Sequence, residues 1–293
     1  MEITHIAQRA GRLSSFLRGE MGLSEGLMNR LKWQDRLLVG GEKRHTDYQV
    51  APGDVITALL DEEVPVYPAE DGPLTVLYED EHILAVDKPA GMLIHPSRTK
   101  MEGTLANLVA GYYRATGQSS IFHPVTRLDR DTYGIVLLAK NTYVHAAANR
   151  LHAESRLRKT YHALVFGGPE TDRGVIDAPI ARKGYPSLMR EIREDGKPSV
   201  TEFSVLEQGT AWCKLALRPV TGRTHQLRVH CAYMGYPILG DPQYGSALSQ
   251  AFSGKLGLTG QALCAKSLEF PHPITGQQMY LESRLDVPQM TVE

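Results

Sequence analysis

Residues 122–141, FHPVTRLDRDTYGIVLLAKN, decide how this chain is read. The run 135–139, IVLLA, is apolar at every position, so a strand formed there is buried on both faces. Ahead of it stand the His123-Pro124 pair, the triplet Arg127-Leu128-Asp129 and the exit Thr132-Tyr133-Gly134. Asp129 therefore belongs to a tight turn whose far end a core strand holds rigid. Arg127 and Arg130 flank it, an arrangement that favours an ionised carboxylate presented to something anionic.

A length of 293 residues suggests more than one domain. Hydrophobic residues at 42% and charged residues at 22% are ordinary for a globular protein, and a formal net charge of -1 argues against a nonspecific nucleic-acid coat. A local basic cleft remains open, because the field that matters is local. Cys213, Cys231 and Cys264 are too few and too scattered for a zinc site or a disulfide frame; they read as buried thiols in a reducing compartment. No stretch approaches the roughly 20 apolar residues of a membrane span. The first residues, MEITHIAQRAGRL, show no apolar core after their charges. The expectation is a cytoplasmic protein with no membrane partner and no long apolar surface demanding a second copy, hence a monomer.

The spacing of Leu13, Phe16 and Leu17 predicts a first short helix, and Leu27, Met28 and Leu31 a second, with Ser24 as its cap. LLVGGEKR and YQVAPGDVITALL then read as strands and turns. This gives a small α/β unit over 1–61. The stretch 62–73, acidic and carrying three prolines, reads as a linker. Over 74–287, LTVLYED, HILAVDKPAG, MLIHP, TYHALVFG, TEFSVLE, WCKLALRPV, LCAKSLEF and MYLESRL read as strands, with helices over 104–114 (stripe Leu105, Leu108, Val109, Tyr112), 142–155 (Val144, Ala147, Ala148, Leu151 inward) and 224–234. Residues 288–293 form a tail. Strands without regular strand–helix alternation argue for an α+β fold with a mixed, mainly antiparallel sheet.

Five blocks now stand in order: YEDEHILAVDKPAGMLIHP, GTLANLV, HPVTRLDRDTYGIVLLAKN, RKTYHALVFG and RPVTGRTHQLRVHCAYMGYPILGDPQYG. Together they resemble the RluA-type pseudouridine synthases, which modify ribosomal or transfer RNA, over nearly the whole length. Residues 1–61 resemble, more loosely, the S4-type RNA-binding module that often precedes that catalytic domain; the usual Arg-Leu-Asp near its start is Arg12-Leu13-Ser14 here. The family's central motif, His-Arg-Leu-Asp-x-x-Thr-Ser-Gly, carries Thr126 in place of His and Tyr133 in place of Ser.

The resemblance implies a reaction that detaches uracil from its ribose at N1, turns the base and rejoins it through C5. Nothing is oxidised and nothing is added, so no metal or organic cofactor is called for. The chemistry needs a carboxylate, a pocket that retains the free base, and a nucleotide outside its stack. By resemblance Asp129 is the catalytic carboxylate; whether it adds to the base, attacks C1′ or removes the C2′ proton stays open. Arg228 in HQLRVH is its ionic partner, and Tyr161 in RKTYHALVFG lines the site, its ring suited to stacking on the base. From the residues alone, Asp129 also fits a turn-capping carboxylate, Arg228 a solvated helix residue and Tyr161 a core ring; the family blocks decide among these.

Arg127 would fill the space of the extruded base or hold its phosphate, with a salt bridge to Asp129 as the plainer use. Lys159, in a cluster with Arg156 and Arg158, suits phosphates, as do Arg130 and Arg223. Residues 1–60 carry eight Lys/Arg against seven acids, a weak balance for RNA, with Arg30 and Lys32 the candidates for contact. His225 and His230 are five apart and miss the i,i+4 spacing of a helical metal site. Asp129 and Asp131 share one turn, unlike the facing carboxylates of a glycosidase. The rival readings are a non-catalytic RNA-binding assembly factor and a hydrolase that releases free base.

Overall fold

The computed structural model describes residues 1–60, 66–97, 100–184 and 186–290. The first sixty hold β1 (Glu2–Ile6), β2 (Gly11–Arg12), α1 (Leu13–Gly19), α2 (Glu25–Trp33), β3 (Leu37–Val39), β4 (Glu42–Lys43), β5 (Gln49–Val50) and β6 (Val55–Leu59). Strands β1, β6, β3 and β4 pair in that order. The expected stripes of α1 and α2 are buried in one apolar cluster with Leu37, Val39, Ile56 and Ala58. Ser24 caps α2, its hydroxyl accepting from the Leu27 amide at 3.3 Å. β1 escapes the sequence reading because Ile3 and Ile6 are its only apolar side chains and Ile6 is exposed.

The larger part adds β7 (Thr75–Glu79), β8 (Ile83–Lys88), α3 (Leu105–Ala115), β9 (His123–Pro124), β10 (Tyr133–Ala139), α4 (Thr142–Ala153), β11 (Arg158–Phe166), β12 (Arg173–Asp177), β13 (Ile180–Arg182), β14 (Arg190–Ile192), β15 (Val200–Gln208), β16 (Trp212–Pro219), α5 (Gln226–Tyr233), α6 (Ala247–Lys255), β17 (Leu263–Pro271) and β18 (Gln278–Glu282). The main sheet runs β12-β15-β16-β11-β17-β10-β8-β7, with β18 on β17 and β9 on β10. Among its described pairings only β10 with β17 is parallel, so the sheet is mixed and mainly antiparallel as expected.

β10 is central, and its all-apolar sequence has a direct cause. Ile135, Leu137 and Ala139 pack with Val144 and Ala148 of α4, whereas Val136 and Leu138 pack with Leu105, Val109 and Tyr113 of α3. Alternate side chains thus enter two separate cores. α4 also touches the N-terminal unit: the Tyr143 hydroxyl donates to the Met21 carbonyl at 2.9 Å and Arg150 to that of Gly22 at 2.7 Å.

Several expectations are corrected. MLIHP forms no strand; the Leu93 and Ile94 carbonyls instead accept from the Leu105 and Ala106 amides, 2.9 and 3.0 Å, which a helix start leaves free. The buried face of α3 is Leu105, Ala106, Val109 and Tyr113, while Leu108 and Tyr112 are only half-buried. The rotation follows from the stretch read as a linker. Residues 61–65 lie outside the described residues, but 66–73 run along α3: Asn107 Nδ2 donates to the Pro68 carbonyl at 3.0 Å, and the Glu70 backbone amide to the Asn107 backbone carbonyl at 3.0 Å. Gly111 permits this approach, since a Cβ there would stand 1.9 Å from the Glu70 carbonyl oxygen. At the other end, Leu285, Val287 and Met290 pack with Leu164, Trp212 and Cys264, so the expected tail begins inside the packing; 291–293 lie outside the described residues. All three cysteines are free and buried. No helix among the described residues is long and apolar enough to cross a membrane.

Candidate active site

The turn bearing Asp129 is fastened from both sides. The Val125 and Thr126 amides donate to the Leu137 carbonyl, at 2.9 and 3.2 Å, and the Thr126 hydroxyl accepts from the Leu137 amide at 2.9 Å. Thr126, the departure from the family's His, is therefore a tie between turn and strand. Gly134, at φ 104°, lets β10 meet β17: a Cβ there would stand 2.3 Å from the Ala265 carbonyl oxygen. Tyr133, the other departure, packs with the cluster that includes Cys264 and Leu285.

Lys88, at the end of β8 and fully buried, holds the far side. Its ammonium donates to the carbonyls of Pro89, Met92 and Arg130 at 2.9, 2.9 and 2.8 Å. Burial takes Lys88 down to about 8, yet three acceptors use all three of its protons and keep it charged at neutral pH. Lys88→Met retains the stem and strips three carbonyls of their partner. The variant is expected to lose about 3 kcal/mol or more of stability, read as a lower urea midpoint at unchanged slope.

Asp129 is 31% exposed, and behind it lies Arg228 of α5, only 5% exposed. Arg228 Nη1 donates to Asp129 Oδ2 at 3.2 Å. Its main partner is Asp241, itself 1% exposed. Nε reaches Asp241 Oδ2 at 2.7 Å, Nη2 reaches Oδ1 at 2.8 Å, and Nη2 also donates to Gln243 Oε1 at 2.9 Å. The guanidinium also lies 4.9 Å from the centre of the Tyr244 ring. A bidentate buried pair fixes the guanidinium and leaves one N–H face for Asp129. His225, at the N-cap of α5, adds a ring nitrogen 3.8 Å from Asp129 Oδ2.

Tyr161 is half-buried on β11, where pairing with β17 shifts register between Thr160 and Tyr161. Such a bulge re-aims a side chain. Burial first, and the Asp129 charge second, push its phenol upward, so it stays protonated as a hydrogen-bond donor. Asp129, Arg228 and Tyr161 thus lie together in the structure.

The flanking arginines behave otherwise. Arg130 pairs with Asp131 at 2.9 Å, and among the described residues no ion pair joins Arg127 to Asp129. The ionic partner of Asp129 comes from a distant helix rather than from its own turn. Arg127 is exposed and lies near enough to Lys159 to oppose its charge; burial first, and Arg127 second, bring Lys159 down to about 8. Arg223 is exposed and anchored by Nε to the Pro198 carbonyl at 3.1 Å. Arg30 and Lys32 lie on α2, where Lys32 sits 5.8 Å from the ring centre of Trp33. His230 is structural, bonded to the Thr201 hydroxyl and the Ala178 carbonyl at 2.9 and 3.0 Å. Among the described residues no group of three or more His, Cys, Asp or Glu could hold a metal ion.

The sequence reading left Lys88, His225, Asp241, Gln243 and Tyr244 without a role in the site. The last three stand in the quoted GDPQYG run, but nothing in spacing alone says that its Asp closes on an arginine 13 positions earlier. What the arrangement offers is a rigid carboxylate, open on one side and backed by a charge-balanced guanidinium, beside a neutral phenol.

The family model described as RNA pseudouridylate synthase matches residues 82–233. RNA pseudouridine synthase YjbO of Bacillus subtilis is 35% identical over 91% of this chain and 93% of its own length. Ribosomal large subunit pseudouridine synthase D of Pseudomonas aeruginosa is 39% identical over 74% and 70%, respectively. Synthase C of the ribosomal large subunit from Vibrio cholerae is 30% identical over 94% and 90%. Among solved structures, human RNA pseudouridylate synthase domain containing 1 superposes with a TM-score of 0.59 at 25% identity, covering 77% of this chain and 94% of that one. The chain belongs to the RNA pseudouridine synthase family, in its RluA-type branch. It is an isomerase that converts uridine in RNA to pseudouridine.

Proposed function

We propose that this synthase acts on ribosomal RNA of the large subunit, with Asp129 as its catalytic carboxylate and the target uridine swung out of its strand to meet it. One observation carries the reading: the half-exposed Asp129 carboxylate is held by the buried Arg228 and flanked by Tyr161. Tyr161 offers a ring face and a hydroxyl to the loose base. Arg127 and Lys159, exposed and half-buried, suit the phosphates around the extruded nucleotide, as do the exposed Arg130 and Arg223. The names of the Pseudomonas and Vibrio relatives support the ribosomal substrate. A monomer working in the cytoplasm, where ribosomal RNA is handled, accords with that choice. An assembled carboxylate, arginine and tyrosine weigh against a non-catalytic assembly factor.

The C5 hydrogen must leave when C5 bonds to the ribose. RNA carrying tritium at uridine C5 is therefore expected to release tritium on incubation, and carbodiimide mapping of the same RNA should show a new pseudouridine. Free uracil without tritium release would point to a hydrolase instead.

Residues 1–61 are proposed as an S4-like module that docks structured RNA by shape and phosphate, ahead of a catalytic domain over 74–287. Trp33 is 84% exposed, next to Lys32 and with Arg30 on the same helix, a combination suited to an unstacked base and its phosphates. Replacing Arg30 and Lys32 by glutamine is expected to flatten the slope of log affinity against log salt by roughly 1.5. An unchanged slope would remove the module from the RNA interface.

A further inference from the structure

His225 starts α5 in the left-handed region, φ 57°, a conformation side chains other than glycine seldom adopt. That backbone turns the imidazole between two partners. On one side the Tyr244 hydroxyl lies 2.8 Å from His225 Nδ1. The same hydroxyl accepts from the Arg190 amide at 2.8 Å. With that lone pair engaged, the phenol satisfies its own proton by donating to Nδ1. Nδ1 is then an acceptor, and a neutral imidazole carries its proton on Nε2. On the other side Nε2 faces Asp129 Oδ2 at 3.8 Å.

Arg228 Nη1 also approaches Oδ2, at 3.2 Å. Both donors thus converge on one carboxylate oxygen, and among the described residues no protein donor reaches Asp129 Oδ1. Burial, ahead of the opposing pull of the Asp129 charge, holds His225 below its ordinary value and so neutral near pH 7. Arg228, Arg190 and Asp241 are the other charges that act on it.

We propose that His225 is a positioning residue: locked by Tyr244 as its Nε2–H tautomer, it holds Oδ2 of Asp129 together with Arg228, so that Oδ1 is the oxygen that acts on the uridine. The inference rests on the reading of Asp129 given above. The gap of 3.8 Å exceeds a hydrogen bond and closes when RNA fills the site, as catalytic contacts often tighten on binding.

Three variants test it. Tyr244→Phe keeps the ring against Arg228 and removes the proton that sets the tautomer, together with the acceptor of the Arg190 amide, which lies outside the site. His225→Asn tolerates the left-handed backbone, but its amide stops short of Asp129. His225→Gln returns an N–H near the position of Nε2. In single-turnover assays at saturating RNA, Tyr244→Phe and His225→Asn are expected to slow pseudouridine formation by about tenfold or more, with RNA affinity unchanged. His225→Gln should recover most of the rate. The double variant Tyr244→Phe/His225→Asn should be no slower than His225→Asn, since both changes remove one contact.

Wild-type rates in Tyr244→Phe and His225→Asn, losses that multiply in the double variant, or a glutamine as slow as asparagine would overturn the proposal. Asp129→Asn, run alongside, separates the two levels. If it is inactive while His225→Asn is normal, only the role of His225 falls; if it is active, the reading of Asp129 falls as well.

Discussion

Asp129→Asn is expected to bind RNA as the wild type does and to form pseudouridine at least about a thousandfold more slowly. Asparagine has the shape of aspartate and lacks only its charge and its capacity to accept a proton or form a bond through oxygen. The fold has little reason to respond. Arg228 stays paired with Asp241 and Gln243, so no buried charge is stranded. The turn remains tied by Thr126 and Lys88, neither of which bonds the carboxylate. The check is a single-turnover time course with binding and thermal melting measured on the same preparation. Equal rates for variant and wild type would show that the carboxylate does not take part.

Arg228→Leu should behave differently, because the arginine serves both structure and site. Removing it leaves Asp241, 1% exposed, as a buried carboxylate without its cation. Breaking one side of such a pair costs about 3–5 kcal/mol, softened by the Gln243 and Tyr244 amides that still donate to Asp241 at 2.9 and 3.1 Å. Activity should vanish along with the anchor of Asp129. Arg228→Leu/Asp241→Leu removes both charges and is expected to regain at least about half of the lost stability, yet to stay inactive. Recovery of activity in the double variant would mean that Arg228 matters only for folding. Urea titration and the tritium assay together distinguish these cases.

The apolar run 135–139 announced β10 because a strand with a core on each face leaves no polar position. Asp129, Tyr161 and Arg228 were legible only because family blocks surround them; each alone suits an ordinary turn, strand or helix. The Arg228–Asp241 pair was not legible, since its geometry depends on where α5 and the following loop meet. The flanking arginines misled for a related reason: proximity in sequence placed Arg130 next to Asp129, but its guanidinium found Asp131. MLIHP has the composition of a strand, yet its carbonyls serve the start of α3. The stripe of α3 was displaced by the chain at 66–73, whose acidic and proline-rich composition gave no hint that it would pack against a helix.

A crystal structure of Asp129→Asn bound to an RNA that the wild type modifies decides whether the carboxylate meets the target uridine. The target uridine is expected outside its strand, its base against the Tyr161 ring, with residue 129 roughly 3–3.5 Å from the ribose C1′ or the base. A uridine still stacked in its helix, or a base seated elsewhere while residue 129 faces away from it, would show that Asp129 is not the catalytic carboxylate.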